Sequence, residues 1–263
     1  MTDRKIIDET HHAPNSTSFD EGVIKFDLAF NYAPSLGAEV IAELNAWRQI
    51  LYRLGLTGCD PSRYQGLAYG NVSRRSGPID GGGSKATFDC PHPSPLPEGE
   101  GVLCRFTSAL PYDSFIISGT QTGGKPCLSP DDYCLVLDFD LGKNRVRAGG
   151  PIEPSSEALT HGAVYSANPR INCVLHIHSP ILWRNTAQLG IPQTDPSIAY
   201  GTPEMGLAVG QSASKRNQGI ISMGGHEDGL IAFAETVAQA GLLLVQCLAD
   251  AEKLDSLNEL RPE

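Results

Sequence analysis

Strand-like and helix-like segments follow one another along this chain without a regular β-α-β alternation. Runs rich in β-branched and aromatic residues predict strands within 131–146, 171–182 and 221–233. Apolar residues at helical spacing predict helices within 34–55 and 154–169. A doubly wound parallel sheet needs the regular alternation, so this segment order favours an α/β fold with a mixed, largely antiparallel sheet flanked by helices.

The first and last predicted helices differ in their end signals and in their surfaces. Ser35 is the expected N-cap of the first helix, and Gly55 is its expected end. The segment 235–257 is strongly apolar, so we expect a long helix that is buried on most sides. Its apolar character also indicates that the protein assembles from more than one chain.

Two segments differ in composition from the rest of the chain. Residues 1–22 are polar and predict a loose N-terminal arm. Residues 78–113 contain a triple glycine and a proline-rich run, so they predict an inserted, mobile surface loop and make His92 a poor site candidate. The remaining chain, 23–263, is expected to form one domain interrupted by that loop, because its length suits a single hydrophobic core.

The charge balance and the apolar runs argue against several functions. With 20 Lys and Arg against 30 Asp and Glu, the formal net charge is −10, which disfavours a nucleic-acid groove. No apolar run approaches the roughly 20 residues of a membrane span, and the polar start lacks the apolar stretch of a secretory signal. The seven cysteines include no CxxC pair, so we expect reduced thiols and a cytoplasmic protein.

The strand predicted within 171–182 contains His176-Ile177-His178. Successive side chains of a strand point to opposite faces, so His176 and His178 share one face. Two imidazoles about 7 Å apart along a strand can bind one metal ion if a third ligand approaches from elsewhere. The plainer alternative is that both side chains face solvent or make ordinary hydrogen bonds.

Two further residues strengthen the metal interpretation. His226 lies in GGHEDG, where two glycines allow a sharp turn that presents the imidazole at a strand end. Glu157 begins a predicted helix and would act as a fourth ligand or as a base beside the metal. This N/O donor set suits zinc, with Mn²⁺, Fe²⁺ or Co²⁺ as alternatives. His161, one helical turn after Glu157, either orients that carboxylate or is an ordinary half-buried histidine.

Three turns of small residues are candidates for holding an anion. They are Gly70-Asn71, Ser118-Gly119-Thr120 and Ser155-Ser156. The last turn opens a predicted helix, where free N–H groups and the positive end of the helix dipole favour a phosphate or a carboxylate. A serine at a helix start is more often only a cap, so the three turns are informative together rather than singly.

These motifs, in this order, resemble the class II aldolase/adducin family, whose L-fuculose-phosphate aldolase-type members are zinc enzymes. The resemblance covers about 34–250, apart from the predicted insertion. It is carried by GNVSRR at 70–75, IISGT at 116–120, PSSE at 154–157, the helix through His161, CVLHIHSP at 173–180, YGTPEMG at 200–206 and GGHEDG at 224–229.

The resemblance implies a zinc ion bound by His176, His178 and His226. It implies that Glu157 is the acid/base group that leaves the metal when substrate arrives. It also implies that phosphate is bound by Gly70, Asn71, Ser118, Gly119, Ser155 and Ser156. The family fold is a three-layer αβα domain with a mostly antiparallel sheet, commonly a tetramer with its sites between subunits. The implied ligand is a small phosphorylated sugar, without nucleic acid or membrane.

The sequence departs from the family pattern in three respects, one of which is that the predicted insertion falls between two of the proposed phosphate turns. Between His178 and the YGTPE motif the chain is shorter than in the sugar-phosphate aldolases, which carry a catalytic tyrosine in that stretch. Tyr200 is the nearest tyrosine and the candidate for that role, although it matches a different position of the family. His226 is followed by Glu227, where the family usually has glycine. These differences leave the metal site intact and the substrate open.

We therefore expect a zinc-dependent lyase that acts on a small sugar phosphate or hydroxy-ketone through a metal-stabilised enediolate. Aldol cleavage is the first expectation, with dehydration, epimerisation and decarboxylation as alternatives. The alternative from another class is an adducin-like scaffold domain that kept the fold and lost the chemistry. A cupin is disfavoured because no carboxylate follows His178 at the required spacing, and an amidohydrolase barrel because too little chain follows His176.

Overall fold

A computed structural model of the chain describes residues 23–76 and 114–259. The predicted arm at 1–22 and the predicted insertion at 78–113 lie outside the described residues. The strands are β1 (Asp27–Tyr32), β2 (Gly58–Cys59), β3 (Ala68–Tyr69), β4 (Asn71–Arg75), β5 (Phe115–Ser118), β6 (Tyr133–Asp140), β7 (Arg145–Gly150), β8 (Cys173–His178), β9 (Gly219–Ser222) and β10 (Gly229–Ala234). The helices are α1 (Ala38–Arg53), α2 (Ala158–Ala167), α3 (Pro180–Arg184), α4 (Pro203–Ala213) and α5 (Val237–Glu259).

Eight of these strands form one sheet in the order β1-β7-β6-β5-β4-β8-β10-β9. Within the described residues the edge pair β1 and β7 is parallel, and the other neighbouring pairs are antiparallel. Strands β2 and β3 form a separate two-stranded ladder. The prediction of a mixed, mostly antiparallel sheet is confirmed.

Helices cover both faces of the large sheet. Helices α1, α3 and α5 pack on one face, where Leu175 and Ile177 of β8 belong to the same apolar cluster. Helices α2 and α4 pack on the opposite face, together with Val174 of β8. Alternate side chains of a central strand thus enter two separate cores, which is the arrangement of a strand covered on both faces. The three-layer αβα architecture is confirmed.

The two ends of α1 show which end signals were informative. The helix begins at Ala38 after Gly37, and no side chain caps it, so the prediction of Ser35 as the N-cap is wrong. At the other end, Gly55 has a φ of 71° and its N–H donates to the carbonyl oxygen of Tyr52. The left-handed conformation suits glycine, and the predicted helix end is confirmed.

Helix α5 is less buried within one chain than its composition predicts. Ala240 and Leu244 are buried against the sheet, whereas Leu242 is 60% exposed and Leu257 is 50% exposed. The prediction that this helix is buried on most sides is wrong for the single chain, because its apolar residues occupy more than one helix face. No helix in the described part of the chain has both the length and the apolarity that crossing a bilayer demands.

Leu44 of α1 offers a direct test of the core between α1 and the sheet. Its side chain is fully buried, so we expect Leu44→Ala to lower the free energy of unfolding by about 2–5 kcal/mol through lost burial and the remaining cavity. Leu207→Ala, at a half-exposed position of α4, is the matched control and should change it by less than about 1 kcal/mol. Urea unfolding measures both, and equal losses would contradict the packing described here.

Candidate metal centre and anion pocket

Strand β8 carries two of the predicted ligands in the interior of the sheet. All six of its residues are buried, with β4 on one side and β10 on the other. Leu175 and Ile177 belong to the core beneath α1 and α5. His176 and His178 therefore point to the opposite face, toward the layer of α2 and α4. The structure places both imidazoles on that one face, and neither is exposed to solvent.

The third imidazole comes from the turn between β9 and β10. Gly229 of β10 pairs with His178 of β8, so this turn lies at the end of β8 where His178 is found. Two glycines precede His226, and a Cβ atom on Gly225 would overlap the carbonyl oxygen of Ile198. Glycine at this close approach lets the turn fold inward and bury His226.

The three imidazoles form a cluster whose spacing suits one metal ion. One ligand nitrogen from each of His176, His178 and His226 lies within 4.8 Å of the others. Nε2 of His176 is 3.2 Å from Nε2 of His178. A tetrahedral zinc with Zn–N bonds of about 2.0–2.1 Å keeps its ligand atoms roughly 3.3 Å apart. Nδ1 of His176 lies 3.1 Å from the carbonyl oxygen of Leu230, a partner that would leave Nε2 free to bind metal.

Burial also puts the side chain of His178 in the protonation state that metal binding needs. Burial lowers the pKa of His178 well below its ordinary value, and the neighbouring His226 and His176 lower it further. The imidazole of His178 is therefore neutral at pH 7, and the neutral form is the one that ligates a metal ion. The donor set and its protonation state fit a divalent cation.

Tyr200 lies against the third imidazole of the cluster. Its ring stacks on that of His226, with 4.4 Å between the ring centroids and 17° between the planes. The ammonium of Lys25 lies 4.0 Å from the centroid of the Tyr200 ring. The hydroxyl of Tyr200 is buried. The structure thus places the candidate tyrosine beside the cluster, where stacking holds the orientation of His226.

Glu157 and His161 occupy the first turns of α2. Glu157 is the N-cap residue of the helix and is buried. It is not part of the group of converging ligand atoms, which consists of the three histidines in the described residues. His161 is fully buried, which corrects the expectation of a half-buried ring. Its Nδ1 lies 2.6 Å from Oγ of Ser73, and its Nε2 has no hydrogen-bond partner in the described structure, so its ring does not orient the Glu157 carboxylate.

A small polar pocket, partly open to solvent, brings together most of the residues predicted to bind phosphate. It is lined by Gly70, Asn71, Gly119, Ser155 and Ser156, together with Ala68 and residues 120–123. Ser118 does not line it. The buried Oγ of Ser118 accepts a hydrogen bond of 3.1 Å from the N–H of Val72, so this side chain joins β5 to β4 instead.

The pocket has fewer free amide donors than its sequence motifs predict. The N–H of Gly119 donates to the carbonyl oxygen of Asp132 at 2.8 Å, and that of Thr120 donates to Glu153 at 3.0 Å. A Cβ atom on Gly119 would lie 2.6 Å from the side chain of Ile152, so packing accounts for this glycine. At the start of α2, the N–H of Ala158 donates to the carbonyl oxygen of Ser155 at 3.0 Å and that of Glu157 donates to Oγ of Ser155 at 3.3 Å, so the helix contributes mainly the positive end of its dipole.

Asn71 connects the pocket with the imidazole cluster. It lines the pocket and pairs in register with His176 across β4 and β8, so the two side chains project from the same sheet face. Its Oδ1 is buried and has no hydrogen-bond partner among the described residues. The preceding Gly70 has a φ of 80°, and a Cβ atom there would lie 2.6 Å from the side chain of Thr57, so this bend requires glycine.

The sequence motifs did not identify a polar network behind His178. The ring of Tyr64 meets the ring of His178 edge-on, with 4.8 Å between centroids. The hydroxyl of Tyr64 donates to Asp228 at 2.7 Å, and Arg63 pairs with the same carboxylate at 2.9 Å. Tyr64 and Gln65 have φ values of 49° and 57°, a strained conformation that recurs at functional sites. The 60–66 loop has no periodicity that would mark Arg63 or Tyr64 in the sequence. Of this network, only Asp228 lies in a recognised motif, GGHEDG.

The chain is similar to known proteins both in sequence and in fold. A family model described as the class II aldolase and adducin N-terminal domain matches residues 106–251, which is more than half of the chain. Two curated relatives are methylthioribulose-1-phosphate dehydratases from Stenotrophomonas maltophilia and Xanthomonas campestris, each 47% identical over 51 residues. Those matches cover 19% of this chain and 22% of each relative, so the chain spans about a fifth of their length.

Solved structures are similar over a larger part of the chain. A sugar-phosphate aldolase from Thermotoga maritima has a TM-score of 0.57, with 86% of this chain and 97% of that chain covered. An L-fuculose-1-phosphate aldolase from Thermus thermophilus has a TM-score of 0.54, with coverage of 86% and 100%. The sequence identity is 17% in both cases, so these neighbours establish the fold.

The hydroxyl of Tyr64 provides a test of the network behind His178. We expect Tyr64→Phe to lower the free energy of unfolding by about 1–2 kcal/mol, because a buried hydrogen bond to Asp228 is lost while the ring remains. Tyr32→Phe is the matched control, since Tyr32 is 74% exposed. Chemical unfolding compares the two variants, and an equal effect would show that the Tyr64–Asp228 bond contributes nothing to stability.

Proposed function

The chain belongs to the class II aldolase and adducin family, and we propose that it is a zinc-dependent lyase acting on a small phosphorylated sugar or hydroxy-ketone. One observation carries this proposal. A cluster of three buried imidazoles adjoins a polar pocket through the pairing of Asn71 with His176. A ligand with an anionic group in the pocket would therefore extend its other end toward the imidazoles.

His176, His178 and His226 would hold the metal, which we propose to be zinc, with Mn²⁺, Fe²⁺ or Co²⁺ as alternatives for the same donor set. When bound, a divalent cation supplies a Lewis acid that stabilises negative charge developing on substrate oxygens. The protein lowers the pKa of His178 by burial and fixes the other two imidazoles, His176 at the carbonyl oxygen of Leu230 and His226 against Tyr200.

Glu157 is the group that we propose moves the proton. Its carboxylate is buried at the start of α2, directly after the two serines that line the pocket. A buried carboxylate next to a bound substrate can take a proton from carbon or oxygen and return it later in the cycle. Tyr200, stacked on His226, is the candidate for a second proton-transferring group, because its hydroxyl lies in the same buried region.

Aldol cleavage and dehydration remain the two reactions to distinguish. In cleavage, a hydroxyl proton leaves to a base, the adjacent C–C bond breaks, and its electron pair becomes an enediolate that is then protonated. In dehydration, a base removes the proton on the carbon next to the carbonyl, and a hydroxyl on the following carbon leaves as water. The resemblance to aldolase structures supports the first, and the 51-residue similarity to dehydratases supports the second.

We further propose that the protein works as a cytoplasmic homo-oligomer, with a tetramer as the form expected from the family resemblance. The exposed apolar side chains of Leu242 and Val245, one turn apart on α5, form a small patch that supports assembly. The described cysteines are free thiols, which supports a reducing compartment.

Metal content separates the enzyme from an adducin-like scaffold. Purified wild-type protein loaded with zinc and desalted is expected to retain about one zinc per chain. We expect His178→Ala to lose it, because one of three ligands is removed. His161→Asn is the control, since its buried ring lies outside the cluster, and it should keep its zinc. Elemental analysis measures all three, and a wild type that never retains metal would favour the scaffold.

The role of Glu157 is testable once a panel of ketose and aldonate phosphates yields a substrate. We expect Glu157→Gln to retain zinc and to lower kcat by at least about 100-fold, because the amide cannot accept the proton. Glu39→Gln, at an exposed site in the first turn of α1, should behave as wild type. Analysis of the products distinguishes two smaller fragments from one dehydrated product. A fully active Glu157→Gln would exclude the proposed role.

A further inference from the structure

A single charged side chain interrupts the apolar face of α1. Ile41, Leu44 and Leu51 are buried on this face, and Arg48 lies among them with only 2% of its surface exposed. Burying a guanidinium costs free energy unless its donors are satisfied. In the described part of the chain no carboxylate forms an ion pair with it, so other groups must compensate its charge.

The compensation comes from the backbone of the turn that lines the anion pocket. One guanidinium nitrogen of Arg48 donates to the carbonyl oxygens of Thr122, at 2.9 Å, and Gly123, at 2.6 Å. The other terminal nitrogen donates to the carbonyl oxygen of Lys125. Three carbonyl groups of one short turn are thus gathered on the side that faces α1. Thr122 and Gly123 are also pocket-lining residues.

This arrangement determines where the amide donors of the turn point. In a planar trans peptide the C=O and the following N–H point in opposite directions. Because the carbonyls of Thr122 and Gly123 face Arg48, the N–H groups of Gly123 and Gly124 face away from it. Within the described residues, the N–H groups of residues 121–124 donate to no protein acceptor, although Thr122 and Gly123 are buried. Residues 121–123 line the pocket, so their amides are available to an anion bound there.

The other side of the turn is fixed by close packing. A Cβ atom on Gly123 would overlap the backbone carbonyl of Tyr69, so this position requires glycine. The turn is therefore held between Tyr69 of β3 and Arg48 of α1, next to Gly70 and Asn71 of the pocket. Successive N–H groups that converge in such a turn form an anion-binding concavity.

We propose that Arg48 is a positioning residue for anion binding, which acts by holding the carbonyls of Thr122, Gly123 and Lys125 so that the amides of the same turn face the phosphate of the substrate. This inference rests on the proposed function, because it assumes that the pocket receives the phosphate. The guanidinium of Arg48 donates to backbone carbonyls behind the pocket and lies 5.1 Å from the centroid of the Tyr52 ring. Its buried charge adds an attraction for anions that does not depend on contact.

The test uses inorganic phosphate as the probe and the full chain loaded with zinc. Calorimetric titration at constant ionic strength compares the wild type with Arg48→Met, which keeps the apolar stem, and Arg48→Lys, which keeps the charge. We expect at least about a tenfold weaker phosphate affinity for Arg48→Met, because the amides lose their orientation. Arg48→Lys should fall between the two, since an ammonium cannot span three carbonyls as a planar guanidinium does.

Arg74→Met is the matched control for a merely structural effect. Arg74 is a partly buried arginine of β4. It donates to the carbonyl oxygen of Val40 on α1, away from the pocket. Its loss should lower the unfolding temperature without changing phosphate affinity. With a substrate in hand, Arg48→Lys should raise KM for the phosphorylated compound more than it lowers kcat, whereas Arg74→Met should alter neither.

The outcomes separate this inference from the proposed function. A folded Arg48→Met or Arg48→Lys variant that binds phosphate as tightly as the wild type would overturn the role of Arg48 and leave the proposed function untouched. If Arg48→Met does not fold, Arg48→Lys alone decides between the two results. A wild type that retains zinc but binds no phosphate would overturn the phosphate-binding role of the pocket, and the inference with it.

Discussion

Three imidazoles buried side by side at one end of β8 are the constraint on which the rest of the site depends. Each loses its hydration, so the neutral form is favoured and each ring nitrogen needs a new partner. The sheet provides one of these partners, because the carbonyl oxygen of Leu230 lies 3.1 Å from Nδ1 of His176. Nε2 of His178 lies 3.2 Å from Nε2 of His176, and the spacing of the three ligand nitrogens suits a divalent cation.

The strand order of the sheet places the imidazole cluster and the polar pocket side by side. β8 lies between β4 and β10, so His176 has Asn71 on one side and Ile231 on the other. The β10 side brings His226 through its tight turn, and the β4 side leads to the polar pocket. A small molecule with one anionic end would therefore bridge elements that are far apart in the sequence, and Arg48 lies behind the anionic end.

Most of the correct predictions rested on two local patterns. These are the alternation of side chains along a strand and the identity of small residues in turns. The mixed sheet, the two-layer helix cover and the left-handed Gly55 follow from local patterns that tertiary structure did not override. Ser35 failed as a cap because α1 begins after Gly37, where no side chain reaches the helix amides. Ser118 looked like a phosphate ligand because of its neighbours, yet its hydroxyl is used within the sheet.

Other features could not be predicted because they depend on contacts across long sequence distances. Arg63 and Tyr64 reach Asp228 from an irregular loop, and no local period marks them. Arg48 did carry a signal, since it occupies an apolar helical position between Leu44 and Leu51. The sequence does not show that the carbonyl groups of Thr122 and Gly123 accept hydrogen bonds from this side chain, because that contact forms only in the folded chain.

X-ray absorption at the zinc edge of the zinc-loaded protein addresses the central claim most directly. Three buried imidazoles as ligands predict a first shell of nitrogen and oxygen atoms at about 2.0–2.1 Å, with the outer-shell scattering of imidazole rings. Scattering from sulfur at about 2.3 Å would contradict it, because the metal would then be held by cysteines elsewhere in the chain.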